Sequence, residues 1–236
     1  MYLIIIFSLF TLTSTVGFCS SEIKFEESIE KYQFIVRNAL LDGTRFFQGE
    51  GEETIESNLE KVLVQVLDFS GRCNQDYASR REQTSKDDKC RFHNQSMIES
   101  VIIREYKYPK REKKLLDEFI LWRNVFNKNV WQYYDYVTVE QLDSKNIRVH
   151  FEMMSEAEVK NYIENPKKVD AAFKTTGGEF LITSLGKNKT KVKFTYFSST
   201  DHWLLSSGMA KGQIVEKIAE GSRRTLDSIK EGSTKF

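Results

Sequence analysis

From Met97 to Ser198 short runs rich in Ile, Val, Phe and Tyr are broken by turn signals, and from Leu204 to Lys230 the period lengthens to that of one long helix. No other feature constrains the fold as much. Successive strands joined by tight turns make an antiparallel meander, and its apolar face needs a cover that the terminal helix can supply. The strands are expected at Met97 to Tyr108, Leu116 to Phe126, Val130 to Glu140, Ile147 to Met153, Ala171 to Lys174, Gly178 to Leu185 and Lys191 to Ser198. Turns fall at Pro109 to Lys114, Asn127-Lys128-Asn129, Asp143 to Asn146, Gly177-Gly178 and Gly186-Lys187-Asn188. Ile147, Val149, Phe151 and Met153 alternate with Arg148, His150 and Glu152, the pattern of a strand buried on one face. Ser155 with Glu158 forms a capping box, so a short helix interrupts the meander before Asn165-Pro166 ends it.

Upstream, Asn58 is an N-cap residue, and Leu59, Val62, Leu63, Val66 and Leu67 follow at helical spacing to about Phe69. Glu22 to Leu41 also reads as roughly helical, ended by Asp42-Gly43, and Asn74 to Arg81 as a further short helical piece. The terminal helix carries a stripe of Gly208, Gly212, Val215, Ala219, Ser222, Leu226 and Ile229, widened by Ile214 and Ile218. Its first part is small. Small residues facing a sheet either let the helix approach closely or leave room for a ligand, since apolar pockets are concave and few.

The N-terminus points to export. Tyr2 to Phe18 has no charged residue and runs from Leu, Ile and Phe into Ser, Thr and Gly, the texture of a secretory signal ending near residue 20. The strongest apolar stretch, Tyr2 to Leu12, is short for a membrane span. Cys19 follows Phe18, whereas a lipid-modified bacterial cysteine wants a small residue before it, so simple cleavage between Cys19 and Ser21 is expected. The mature chain then keeps Cys73 and Cys90, which in an oxidising compartment are expected to form a disulfide around the polar stretch Ser79 to Lys89. By the loop-entropy argument such a bond contributes about 3 kcal/mol. Two free thiols are the alternative.

Among 236 residues the formal net charge is +1, with 17 Phe and 10 Tyr but only 2 Pro, which excludes a strongly basic nucleic-acid binder and a linker-rich disordered chain. His93, His150 and His202 have no neighbouring His or Cys at metal-ligand spacing, and no nucleophile motif of the GxSxG kind occurs. Neither metal, cofactor nor catalytic residues are therefore assigned. His150 with Glu152 or Asp135 is the one acid/base arrangement to test. The basic run Lys107 to Lys114 suits either a solvated hairpin tip or a transient contact with anionic headgroups. Asn94-Gln95-Ser96 and Asn188-Lys189-Thr190 match the glycosylation sequon.

A helix, a long antiparallel meander and a long closing helix occur in the order of the START-like, helix-grip superfamily (SRPBCC, Bet v 1-like), which the chain resembles from about Glu52 to Lys230. The likeness rests on Val64 to Phe69, on Leu116-Asp117-Glu118-Phe119 entering a strand, and on Thr190 to Tyr196 before the last helix. The resemblance implies an α+β fold, a curved antiparallel sheet wrapped around a long C-terminal helix. Taken with the apolar N-terminal segment and the helical rhythm after it, the resemblance divides the chain into 1–20 signal peptide, 21–51 helical extension and 52–232 START-like domain. It further implies a cavity between sheet and helix that holds a lipid, sterol or polyketide-like molecule. Trp122, Tyr134, Phe151, Phe194 and Tyr196 on strands, with Ile214 and Ile218 on the helix, are the expected lining. The same fold with a filled core would serve an extracellular interaction protein. Polar residues converging inside would suit a cyclase-like enzyme.

Overall fold

The computed structural model describes residues 27–69, 96–104, 115–127, 129–171, 173–206 and 208–234, together with Phe25. The expected signal segment, Cys73 and Cys90, the helical piece from Asn74 and the basic run from Lys107 to Lys114 lie outside the described residues.

Strands β1 (Glu27–Lys31), β2 (Phe34–Leu41) and β3 (Thr44–Ile55) open the chain. Helix α1 (Leu59–Leu67) follows, then β4 (Ser96–Ile103), β5 (Asp117–Asn127), β6 (Asn129–Gln141) and β7 (Asn146–Met153). Helix α2 (Glu156–Tyr162) precedes β8 (Thr175–Gly186) and β9 (Lys189–Thr200), and α3 (Trp203–Ser206) leads into α4 (Gly208–Thr234). Among the described residues the nine strands join one antiparallel sheet in the order β1-β2-β3-β9-β8-β7-β6-β5-β4. The first three strands thus dock on the last one, and the meander from β4 to β9 runs across the rest. Helices α1 and α4 lie on one face and bury Val62, Val66, Val215, Ala219, Leu226 and Ile229 against it. No helix among the described residues is long and apolar enough to cross a membrane.

Within the expected helical extension at 21–51, residues 27–51 instead form strands joined by two hairpin turns. Lys31 pairs with Phe34 and Leu41 with Thr44, so Tyr32-Gln33 and Asp42-Gly43 are two-residue turns. Tyr32, Gln33, Asp42 and Gly43 all have positive φ, as the twist of such hairpins requires. A turn of that type is usually announced by Asn-Gly or Asp-Gly; Tyr32-Gln33 carries no such signal, and Asp42-Gly43 carries it where a helix end was expected. The domain therefore includes β1 and β2 in its sheet.

Gly177-Gly178 is not a turn either. Both residues sit inside β8, opposite Glu152 and Phe151 of β7 and Phe197 and Tyr196 of β9. A Cβ at Gly178 would lie 2.4 Å from the Thr195 carbonyl oxygen and 2.9 Å from the Phe151 ring, so close strand approach over an aromatic explains the pair. Gly178→Ala is expected to destabilise the fold by about 1–3 kcal/mol, because backbone rather than a flexible side chain must move. The midpoint of urea unfolding measures it, and an unchanged midpoint would contradict the close approach. Of the expected strand Ala171 to Lys174, the described residues 171, 173 and 174 are not in a strand; Asp170 makes an isolated bridge to Gln132.

Elsewhere local chemistry and fold agree. Asn58 Oδ1 accepts from Lys61 N at 2.9 Å to start α1. The capping box at Ser155 and Glu158 starts α2. Glu53 of β3 accepts from Arg223 at 2.5 Å and from Lys230 at 2.7 Å, fastening α4 to the sheet. Burial alone would push Glu53 up, but these two cations outweigh it and hold its carboxyl below the usual carboxylate range.

Candidate ligand-binding site

The face of the sheet under α1 and α4 changes character row by row. One row across the strands is Gly51, Phe194, Phe180, Val149 and Val139, all in direct register. The next is Val36, Gly49, Tyr196, Gly178, Phe151, Val137 and Phe119. Beyond it, toward the β2–β3 and β5–β6 turns, the same face presents Asn38, Ser198, Thr176, Asp135, Tyr133 and Arg123, with buried Phe47 and Leu121 in register among them. The apolar end is filled by aromatic packing. Phe180 stacks on Phe194 with centroids 4.4 Å apart, Phe151 lies 6.0 Å from Phe180, and Phe34 lies 6.0 Å from Phe194. Phe34 occupies the space left by Gly49 and Gly51, whose Cβ atoms would stand within 2.7 Å of its ring.

At the polar end a charged pair is enclosed. Arg123 Nε donates to Asp135 Oδ2 at 2.5 Å, and the two side chains are 13% and 2% exposed. Their Cα atoms are diagonal neighbours across β5 and β6, because Arg123 faces Tyr133 directly. The Arg123 guanidinium is also flanked by the Phe69 and Phe151 rings, at 5.6 and 5.5 Å from their centroids. Burial pushes the Asp135 carboxyl up, against the pull of the facing guanidinium. Arg123 loses some charge stability to burial but gains more from Asp135, which holds it firmly protonated. Tyr133 and Tyr196 are both pushed up by burial, so they stay neutral hydroxyls. Thr176 Oγ1 donates to the Tyr196 hydroxyl at 3.0 Å. Asp135 Oδ1 is buried and has no hydrogen-bond partner among the described residues.

The expected lining residues divide between the two faces. Phe151, Phe194 and Tyr196 lie beneath the helices, and Ile214 and Ile218 pack against the same core from α4. Trp122 and Tyr134 do not. They pair across β5 and β6 on the opposite face, rings 4.6 Å apart, in a second core with Ile120, Met154 and Val159. Tyr134 Oη accepts from Lys167 N at 2.8 Å, and Lys167 Nζ stands 5.1 Å from the Trp122 ring. The small residues of α4 also behave unevenly. Ala219 and Ser222 are buried, whereas Gly212 is exposed and a Cβ there would meet nothing within 4 Å.

His150 and Asp135 share no site. His150 Nε2 is 3.6 Å from Glu152 on the face away from α4, while Asp135 points beneath the helices. Among the described residues no three His, Cys, Asp or Glu side chains gather where they would hold a metal ion.

Comparison with solved structures defines the class of fold. Human STARD10 superposes with a TM-score of 0.53 at 9% identity, over 89% of this chain and 75% of that one. Human StAR-related lipid transfer protein 5 gives 0.49 at 12% identity over 92% and 88% of the two chains. The STAR-related lipid transfer protein fragment from Xanthomonas axonopodis gives 0.49 at 13% over 89% and 97%. No protein-family model and no curated protein matches this sequence. The chain has the START-like, helix-grip α+β fold. At these identities the likeness is one of fold.

Proposed function

We propose that this protein is an exported carrier of a hydrophobic, lipid-like small molecule, held between the sheet and α4 with its polar group at Arg123 and Asp135. The observation that carries the reading is the unpartnered, buried Asp135 Oδ1 beside an ion pair, on the face that START-like resemblance assigns to the ligand. A buried acceptor left unsatisfied costs about 1–3 kcal/mol, so a ligand bringing a hydroxyl or amide N–H there gains that amount over one that brings none. Tyr133, Thr176 and Tyr196 add neutral hydroxyls around the same point. Burial of the remaining apolar surface, at about 25 cal/mol per Å², supplies most of the affinity. Arg123 is already neutralised by Asp135, so the arrangement favours a neutral polar group over a carboxylate or phosphate.

Export rests on the Tyr2 to Phe18 segment, with Cys73 and Cys90 oxidised in the mature chain and the Lys107 to Lys114 run meeting a membrane surface during loading. A second reading, an extracellular interaction protein with a filled core, is favoured by the packed rings of Phe34, Phe151, Phe180 and Phe194.

Native mass spectrometry of protein purified from an oxidising secretory host, followed by organic extraction, separates the two. A stoichiometric hydrophobe bearing a hydroxyl or N–H is expected, absent from a folded Arg123→Met, Asp135→Leu double variant. A bare mass that persists after incubation with neutral lipids, sterols and ceramides would overturn the carrier reading in favour of the filled core. The same spectrum reads the disulfide as the loss of two hydrogens.

A further inference from the structure

The β8–β9 hairpin carries a motif that ligand binding does not use. Gly186 pairs with Lys189, leaving Lys187 and Asn188 at the tip, and Leu185 to Lys189 are all exposed. Asn188-Lys189-Thr190 has the acceptor amide, a non-proline residue after it and a hydroxyl at the third position. An N-linked glycan is bulky and strongly hydrated, so a folded chain tolerates it only where the acceptor projects into solvent. A hairpin tip meets that condition. This tip also stands at the end of the sheet away from the polar cluster. Thr190 Oγ1 donates to the Ser57 carbonyl at 2.8 Å, Ser57 Oγ donates to the Ser233 carbonyl at 3.0 Å, and Lys189 pairs with Glu56 at 3.1 Å. That end is closed by the start of α1 and the last turn of α4. A glycan there would cover half-exposed Leu185 and leave the β2–β3 turn and α3, at the other end, free.

We propose that Asn188 is an N-glycosylation acceptor when the chain passes through a eukaryotic secretory pathway, and that it is modified before the hairpin docks on α1. The order follows from Thr190, which is fully buried in the fold and already hydrogen-bonded. The hydroxyl that defines the motif is therefore accessible only in the unfolded chain. In the transfer, Asn188 Nδ2 forms a bond to the anomeric carbon of an oligosaccharide carried on a lipid pyrophosphate. The bond from that carbon to the pyrophosphate oxygen breaks, the lipid pyrophosphate leaves with the electron pair, and the amide gives up one proton.

The inference rests on the export reading, so the full chain is expressed in cultured animal cells with its own first 20 residues and, separately, with a borrowed secretory signal in their place. Asn94→Gln in both removes the other sequon. One glycan is expected on the secreted protein, removed by peptide N-glycosidase with an aspartate left at 188, and absent from a further Asn188→Gln variant. A secreted, folded product without the glycan under the borrowed signal overturns the acceptor assignment. Secretion and glycosylation under the borrowed signal alone would overturn native export while upholding Asn188. Finally, folded Asn94→Gln protein made in bacteria is offered to microsomes beside a peptide spanning residues 183–193. Modification of the peptide alone is expected, and modification of the folded protein overturns the proposed order.

Discussion

Arg123→Met lowers folding stability at neutral pH by about 3–5 kcal/mol, because it leaves Asp135 as an uncompensated buried carboxylate. Asp135 is 2% exposed, so water cannot take over the role of the guanidinium. The substitution also sets the sign of the pH dependence. Burial already holds the Asp135 carboxyl above its ordinary value with Arg123 in place, and removing the cation removes the opposing pull. The folded variant then binds a proton more tightly than the unfolded chain, so its stability is greatest below the unfolded carboxylate pKa and falls as pH rises through the higher folded value. Urea unfolding of Arg123→Met at pH 5 and pH 8 is therefore expected to show the more stable protein at pH 5. Adding Asp135→Leu should restore most of the loss at both values, since replacing a buried pair by apolar side chains is often neutral or better. A single variant as stable as the parent at pH 8 would mean that the pair is solvated and cannot orient a ligand.

That pair shows where reading the chain succeeds and where it stops. Ile147 to Met153 is legible because only one face of β7 meets the core beneath α4, so polarity alternates with the pleat. On β5 both faces are covered: Phe119, Ile120, Leu121 and Trp122 are all nearly inaccessible. Alternation then disappears, and the direction of Trp122 is undetermined until α2 is placed over the outer face. Tyr134, across the ladder, inherits the same ambiguity. Arg123 and Asp135 left a signal of another kind. Each charge interrupts an aromatic and aliphatic strand, and the β5–β6 register that pairs Asn127 with Asn129 makes them diagonal neighbours. The turn at Asn127 to Asn129 was readable, so the pairing was within reach of register arithmetic. Tyr32-Gln33 was not, because two bulky residues at positive φ leave no compositional trace of a turn. The tandem glycines at 177 and 178 misled for the converse reason, being required by the approach of Thr195 and Phe151 and not by a bend.

Phe194→Ala is expected to destabilise by about 3–5 kcal/mol, the range for deleting a large aromatic from a packed core. Phe194 is 5% exposed and touches three other rings, so the cavity it leaves is bordered by the stiff rings of Phe34, Phe151 and Phe180. The stacked pair with Phe180 adds a directional term of about 0.5–1.5 kcal/mol beyond the area buried. Phe194 and Tyr196 lie in adjacent rows on the same face of β9, and the Tyr196 hydroxyl belongs to the polar cluster. In a carrier the variant should therefore accept a ligand with a bulkier apolar part, and thermal unfolding with such a ligand should recover part of the lost stability by mass action. In a protein whose core is only filled, the same loss should appear and no hydrophobe bearing a donor should reverse it. Thermal unfolding of parent and variant with and without a panel of long-chain alcohols makes the distinction. Recovery that survives in Phe194→Ala but vanishes when Asp135 is also replaced would tie the apolar end and the polar end to one bound molecule.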